Sequence, residues 1–156
     1  MDDDGAVAAE GIAARLRGAV CAGVAHDGGA GTWTFAFGGD RAVLLANCPW
    51  RIVAEGRIAR ARGDHGQWLG LPAPVDAVVE GARLLADRLV AAVVVRPDTA
   101  GLAIAFGGGI ALQLFNDSAG FEGWEIGAAD GFQVVAMDGD RIVLWDARKP
   151  PAGAAP

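Results

Sequence analysis

Between Thr32 and Asn47 large and small side chains alternate up to a glycine pair and then back again. Trp33, Phe35 and Phe37 are separated by Thr34 and Ala36, and Val43 and Leu45 continue the large set after the glycines. A period of two marks a strand whose two faces differ, so the stretch is expected to be a β-hairpin. The pattern returns in residues 101–116, where Leu102, Ile104 and Phe106 alternate with Ala103 and Ala105 and lead to Ile110, Leu112 and Leu114. Sixteen positions align without a gap at an offset of 69, and seven are identical. Three-residue loops, GGD and GGG, set large side chains opposite one another. Phe37 then faces Arg41, Phe35 faces Val43 and Trp33 faces Leu45, while Phe106 faces Ile110, Ile104 faces Leu112 and Leu102 faces Leu114. Such loops usually end in a left-handed residue, which Gly109 adopts freely and Asp40 tolerates. These large residues are expected to be buried. Thr34, Ala36, Ala42, Ala103, Ala105 and Ala111 form opposite faces small enough for a helix or a second strand layer to cover.

The remaining elements arrange themselves around the two hairpins. Ala6 to Arg17 predicts a helix with Asp4 as its cap and Val7, Ile12 and Leu16 on one side, although Gly5 and Gly11 weaken it. Strands are expected over Ala19–Asp27, Trp50–Ala54 and Arg57–Arg62, with Pro49 at a strand start. Residues 63–74 connect two halves. Val75 to Arg88 is the best helical pattern, with Val75, Val78, Val79, Ala82, Leu85 and Leu89 at three- and four-residue steps. Strands follow over Arg88–Arg96, from Trp124, over Phe132–Met137 and over Arg141–Trp145, the last two joined by a turn at Asp138–Asp140. The order of helix, strand, hairpin, Trp-strand and strand therefore occurs twice. The expected class is α+β: β-rich, mostly antiparallel, with two pseudo-symmetric repeats each of a helix followed by a strand meander. One domain is expected, built of repeats at about 5–69 and 75–146, with 147–156 as a flexible tail. With only about 70 residues per repeat, the two are expected to share one core.

Composition narrows the classes. A hydrophobic fraction of 53% and a mean hydropathy of +0.31 in 156 residues suit a packed globule. The acidic start MDDDG is unlike a signal peptide, no run approaches the roughly 20 apolar residues of a membrane span, and a cytoplasmic location is expected. The net charge of −6 disfavours nucleic acid as a partner. It is also uneven: residues 1–70 hold eight acids and seven bases, residues 71–156 eleven acids and six bases. Arg51, Arg57, Arg60 and Arg62 form the basic cluster, best read as the charge protecting an edge strand.

The second half resembles a family of uncharacterised bacterial proteins known as a domain of unknown function. The likeness is carried by Leu89-Val90-Ala91-Ala92-Val93, by Phe106 to Gly109, by Glu122-Gly123-Trp124 and by the closing Gly139-Asp140-Arg141-Ile142-Val143-Leu144-Trp145. The first half matches more loosely through Leu16-Arg17-Gly18-Ala19-Val20 and the Trp33–Asn47 hairpin. Ala91 and Asp140 depart from the family's glycines. These motifs are turns, core positions and tryptophans, so the resemblance implies a fold and brings no activity.

No constellation of residues declares a reaction. His26 adjoins Asp27 and His65 adjoins Asp64, but neighbours on a strand point to opposite faces, and a metal site with Cys21 or Cys48 is not required by the spacing. The two cysteines read as buried and inert. GGD and GGG read as hairpin turns, not phosphate loops, and Ser118, the one serine, lacks a nucleophile-elbow setting. The tryptophans read as core pieces, with Trp68 in the connector expected to be exposed. Asp117, Glu122, Glu125, Asp130, Asp138 and Asp140 gather in the more acidic half and, with Trp68, are the candidate partner-binding residues. The expectation is a non-enzymatic protein-binding module, immunity-type or regulatory by analogy, for a basic protein partner, with no cofactor, no metal, no nucleic acid and no membrane. A homo-oligomer is compatible with the sequence and not called for by it. The alternative is a small-molecule-binding or enzymatic domain with a cleft between the repeats near Trp124, where paired carboxylates would act as acid and base.

Overall fold

The computed structural model describes residues 4–38, 41–137 and 141–145. The chain runs α1 (Asp4–Leu16), β1 (Cys21–Asp27), β2 (Thr32–Phe37), β3 (Ala42–Ala46), β4 (Trp50–Ala54), β5 (Arg57–Ala61), a single 3-10 turn (Arg62–Asp64), α2 (Ala77–Leu85), β6 (Val90–Val95), β7 (Leu102–Phe106), β8 (Ile110–Leu114), β9 (Trp124–Ala128), β10 (Gln133–Ala136) and β11 (Ile142–Trp145). It is a β-rich α+β protein with two sheets, and every strand pair in them is antiparallel. Among the described residues no helix is long and apolar enough to cross a membrane.

The sheets do not follow the halves of the chain. One has the order β1-β2-β3-β9-β10-β11, the other β5-β4-β8-β7-β6. The first meander is thus extended by strands from late in the chain, and the second by β4 and β5 from early in it. The joints are β3 against β9, with Ala46 opposite Trp124, and β8 against β4, with Leu114 opposite Trp50. The two sheets face one another across aromatic rings. Trp50 meets Trp33 edge-on at 5.0 Å and Phe35 at 5.4 Å, and Phe37 stacks with Phe106 at 6.3 Å. One buried cluster contains these rings together with Leu44, Ile52, Ile104, Leu112, Trp124, Ile126 and Val134.

Each helix packs along edge strands of both sheets: α1 lies against β6 and β11, α2 against β1 and β5. The helices therefore close the two open sides of the sandwich and leave the outer sheet faces to Thr34, Ala36, Ala103, Ala105 and Ala111, all half-buried. This corrects the expectation that those small faces are covered by a helix or second strand layer. On α1, Ala8, Ile12 and Leu16 are buried at steps of four, while Val7 is 44% exposed. Val7 precedes Ile12 by five residues, about 140° around the helix, and so cannot share its face. Gly11 has a packing reason: a Cβ there would come within 2.6 Å of the Phe132 ring, over which the Arg15 guanidinium also lies, 3.8 Å from the ring centre. The second helix is shorter than its pattern suggests. Asp76 caps it by accepting from the amides of Val78 and Val79 at 3.1 and 3.2 Å, and Asp87 turns left-handed soon after its end, at φ 60°.

The two hairpins differ in register. In the second, Phe106 pairs with Ile110 and Ile104 with Leu112, the expected three-residue loop. In the first, Phe37 pairs with Ala42, Phe35 with Leu44 and Trp33 with Ala46. The expected pairing of Trp33, Phe35 and Phe37 with Leu45, Val43 and Arg41 is therefore one residue out. Ala42, Leu44 and Ala46 are buried and Val43 and Leu45 only half so. Residues 42–46 are apolar throughout, so alternation could not choose a face. The tight Phe35–Leu44–Ile126 row across β2, β3 and β9 chooses it instead.

Trp33, Trp50 and Trp124 are core residues, and Trp68 is exposed as expected. Trp145, expected in the core, is 59% exposed, because it ends the edge strand β11. The expected turn at Asp138–Asp140 and the tail at 147–156 lie outside the described residues.

Candidate functional site

The strand registers sort the connections to two ends of the sandwich. Tight connections gather at one end, where the β4–β5 and β7–β8 turns adjoin: Glu55 N–H donates to Gly109 O at 3.1 Å. The three longest connections gather at the other end, together with two short ones. Residues 28–31, 47–49, 62–76, 96–101 and 115–123 all meet there, tied by Asn47 N–H to Gly123 O at 2.8 Å and Phe115 N–H to Pro49 O at 3.0 Å. Arg62 joins two of these loops, donating to Gly31 O at 3.1 Å and Asn47 O at 3.5 Å. Connections freed from strand pairing can carry side chains chosen for something other than the core.

The connector is held by several hydrogen bonds. Gly66 N–H donates to Val75 O at 2.9 Å and Val75 N–H to Gln67 O at 2.8 Å, closing its base. His65 Nδ1 accepts from the amide of Ala77, at the start of α2, at 3.1 Å. At the tip, Leu71 N–H donates to Trp68 O at 2.8 Å with Gly70 at φ +79°, a backbone angle glycine adopts without strain. This turn presents Trp68, Leu69 and Leu71 at 63%, 99% and 49% exposure. At the same end Phe121 is 80% exposed. Sequence reading named Trp68 and missed Leu69, Leu71 and Phe121. Their signal was large apolar residues inside Gly- and Pro-rich segments that have no strand or helix period.

The candidate acids do not form one patch. Asp117 and Glu122 lie in the 115–123 loop at the loop-rich end. Glu125 projects from β9 between Leu45 and Val135 and accepts from Gln133 Nε2 at 3.1 Å. Asp130 lies at the opposite end, paired with Arg15 at 3.0 Å. Asp138 and Asp140 lie outside the described residues. Beside Glu122 runs a cleft of about 680 Å³ lined by Asn47, Phe121, Glu122, Met137 and Arg141, close to Trp124 and lined from both halves of the chain.

Of the basic cluster, Arg51, Arg60 and Arg62 are taken up by structure, while Arg57 is exposed. Arg60 grips Glu80 of α2 at 2.9 Å and Asp64 at 3.4 Å. Arg51 donates to Gln113 at 2.8 Å and lies 4.5 Å from the Phe115 ring.

The two histidines, far apart in sequence, do meet. His26 stacks on Trp33 at 4.2 Å, and the His65 ring stands edge-on to both, 5.1 Å from each. This is not a metal-ligand arrangement. With Nδ1 accepting from Ala77, a neutral His65 carries its proton on Nε2, so ligation there would cost the Ala77 bond. Among the described residues no third His, Cys, Asp or Glu converges on the pair. The cysteines are buried free thiols. Burial, then the charge of Asp117, pushes Cys48 up to about 12 against the opposing effect of Arg62, and burial raises Cys21. Raised thiol values work against forming the thiolate, the reactive form.

No family model, curated protein or solved structure matches the chain.

Proposed function

We propose that the chain is a non-enzymatic protein-binding module, immunity-type or regulatory, that meets its partner with the loop-rich end. The observation that carries this reading is the exposure of Trp68, Leu69, Leu71 and Phe121 at one end of the molecule. A large exposed aromatic with two exposed leucines on one turn is the kind of surface that protein interfaces favour. Asp117 and Glu122 beside them favour a basic partner, in keeping with the net charge of −6. A pull-down with the purified chain tests the reading: a basic protein held with salt-sensitive affinity supports it.

The second reading is a small-molecule site in the cleft. Its support is the opposite charges of Glu122 and Arg141 lining one opening with the Phe121 ring and the Asn47 amide. Native mass spectrometry separates the two readings. A stoichiometric metabolite with no protein partner overturns the first.

A further inference from the structure

Building on the protein-binding reading, we infer that the Trp68–Leu71 turn is a preformed apolar plug that seats in an apolar pocket of a folded protein, a pocket whose rim is basic. Three observations combine. The first is exposure: Leu69 is 99% and Trp68 63% exposed, on a turn that packs neither into the core. The second is rigidity. The turn is closed by Leu71 N–H to Trp68 O, its base by two backbone bonds between 66–67 and Val75, and its stem by His65 on the amide of Ala77. Pro72 and Pro74 further restrict the returning strand of the loop. A segment held in this shape while free loses little freedom when it docks, so its apolar contacts count more fully toward affinity. Trp is also the side chain most enriched at the energetic centres of protein interfaces.

The third observation is charge, and it selects the occupant. Between Arg62 and Arg83 the chain contains no lysine or arginine, but it contains Asp64, Asp76 and Glu80. Arg60 neutralises part of Asp64 and Glu80, while Asp76 stands at the foot of the loop as the cap of α2. Asp117 and Glu122 lie at the same end, where Arg62, Arg96 and Arg141 offset part of the acidic charge without reversing it. An apolar tip above an acidic base is repelled by an anionic lipid surface, which attracts basic segments. A second copy carries the same acids, which oppose self-association through this surface. A pocket ringed by lysine or arginine satisfies both the tip and its base.

The test places a photoactivatable residue in the full chain at position 69, at 121 or at 55, the last in the β4–β5 turn at the opposite end, and irradiates cells making each. The expected result is a discrete adduct with one other protein from positions 69 and 121 and none from 55. That protein, purified, should bind the unmodified chain. Its affinity should fall about tenfold or more in Leu69→Asp and also fall as salt rises from about 50 to 200 mM. Leu69 is solvated, so Leu69→Asp should keep the native melting temperature, and Leu69→Ala gives an uncharged control that should weaken binding less. An adduct from 121 without one from 69, or a partner that binds Leu69→Asp as tightly, overturns the plug and leaves the binding reading standing. No adduct from either position overturns both. An adduct of the chain with itself overturns the chosen occupant, as does a blue shift of tryptophan emission with phosphatidylcholine–phosphatidylglycerol vesicles that is lost in Trp68→Ala.

Discussion

Leu44 and Leu45 are adjacent and chemically identical, yet they stand on opposite sides of the sheet. Leu44 is wholly buried and Leu45 half-buried. Leu44→Ala should cost about 2–5 kcal/mol in denaturant unfolding, comparable to Phe35→Ala and Ile104→Ala, while Leu45→Ala should cost about 1 kcal/mol or less and Thr34→Ser almost nothing. Equal losses at 44 and 45 would mean that the first hairpin has the other register. This is where the sequence was hard to read. Trp33, Phe35 and Phe37 declare their face because Thr34 and Ala36 contrast with them, whereas residues 42–46 offer no contrast. Leu45 matches Leu114 letter for letter, but the identity misplaces it. Cys48 makes a second residue-scale case. Its folded value of about 12 lies above the usual thiol value, so the folded state holds its proton longer than the unfolded chain does. That contribution is fully present below the unfolded value and is lost as pH rises through the window from about 9 to about 12. Cys48→Ala should therefore flatten the alkaline fall in stability, measured by unfolding at stepped pH.

The strands and both helices were legible as elements because their periods or caps are local. Pro49, Asp76, Gly38 and Gly107 to Gly109 punctuate the chain where the structure does. The helical pattern from Val75 to Arg88 runs straight through Asp76, which proves to be the cap that starts the helix one residue after itself. Asp76→Ala should lower stability by about 1 kcal/mol, chiefly by freeing the amides of Val78 and Val79, and hydrogen exchange at those two amides should accelerate. Gly11 was legible only as a flaw in α1. The reason for it, the Phe132 ring against the helix, comes from a residue more than a hundred positions away. The candidate site follows the same division. Trp68 stands out as a lone tryptophan in a connector, but the closure that turns Trp68–Leu71 into a rigid tip depends on bonds to Val75 and Ala77 that no local pattern announces. The meeting of His26 with His65 is equally non-local, set by β1 and the 3-10 turn being carried to the same end.

At the scale of the molecule, neither half completes a sheet from its own strands. β9, β10 and β11 extend the meander of the first half, and β4 and β5 extend that of the second. Residues 71–156 alone should therefore show no cooperative thermal transition, whereas mixing them with residues 1–70 should restore one, because the missing β3–β9 and β4–β8 edges are then supplied. A cooperative transition from the single fragment would refute the shared core. The same arrangement makes each half a ligand for the other, held at high local concentration by the connector. Nothing in the strand pairing requires that the two halves belong to one chain. If the bonds at Gly66, Gln67 and Val75 open while the chain is unfolded, residues 66–75 can extend into a hinge, and two molecules can trade halves with every strand pairing kept and only the connector's own bonds lost. Refolding at high protein concentration should thus yield a domain-swapped dimer, separable by size-exclusion chromatography. It should revert to monomer after unfolding and dilute refolding, when the tethered half again outcompetes the free one.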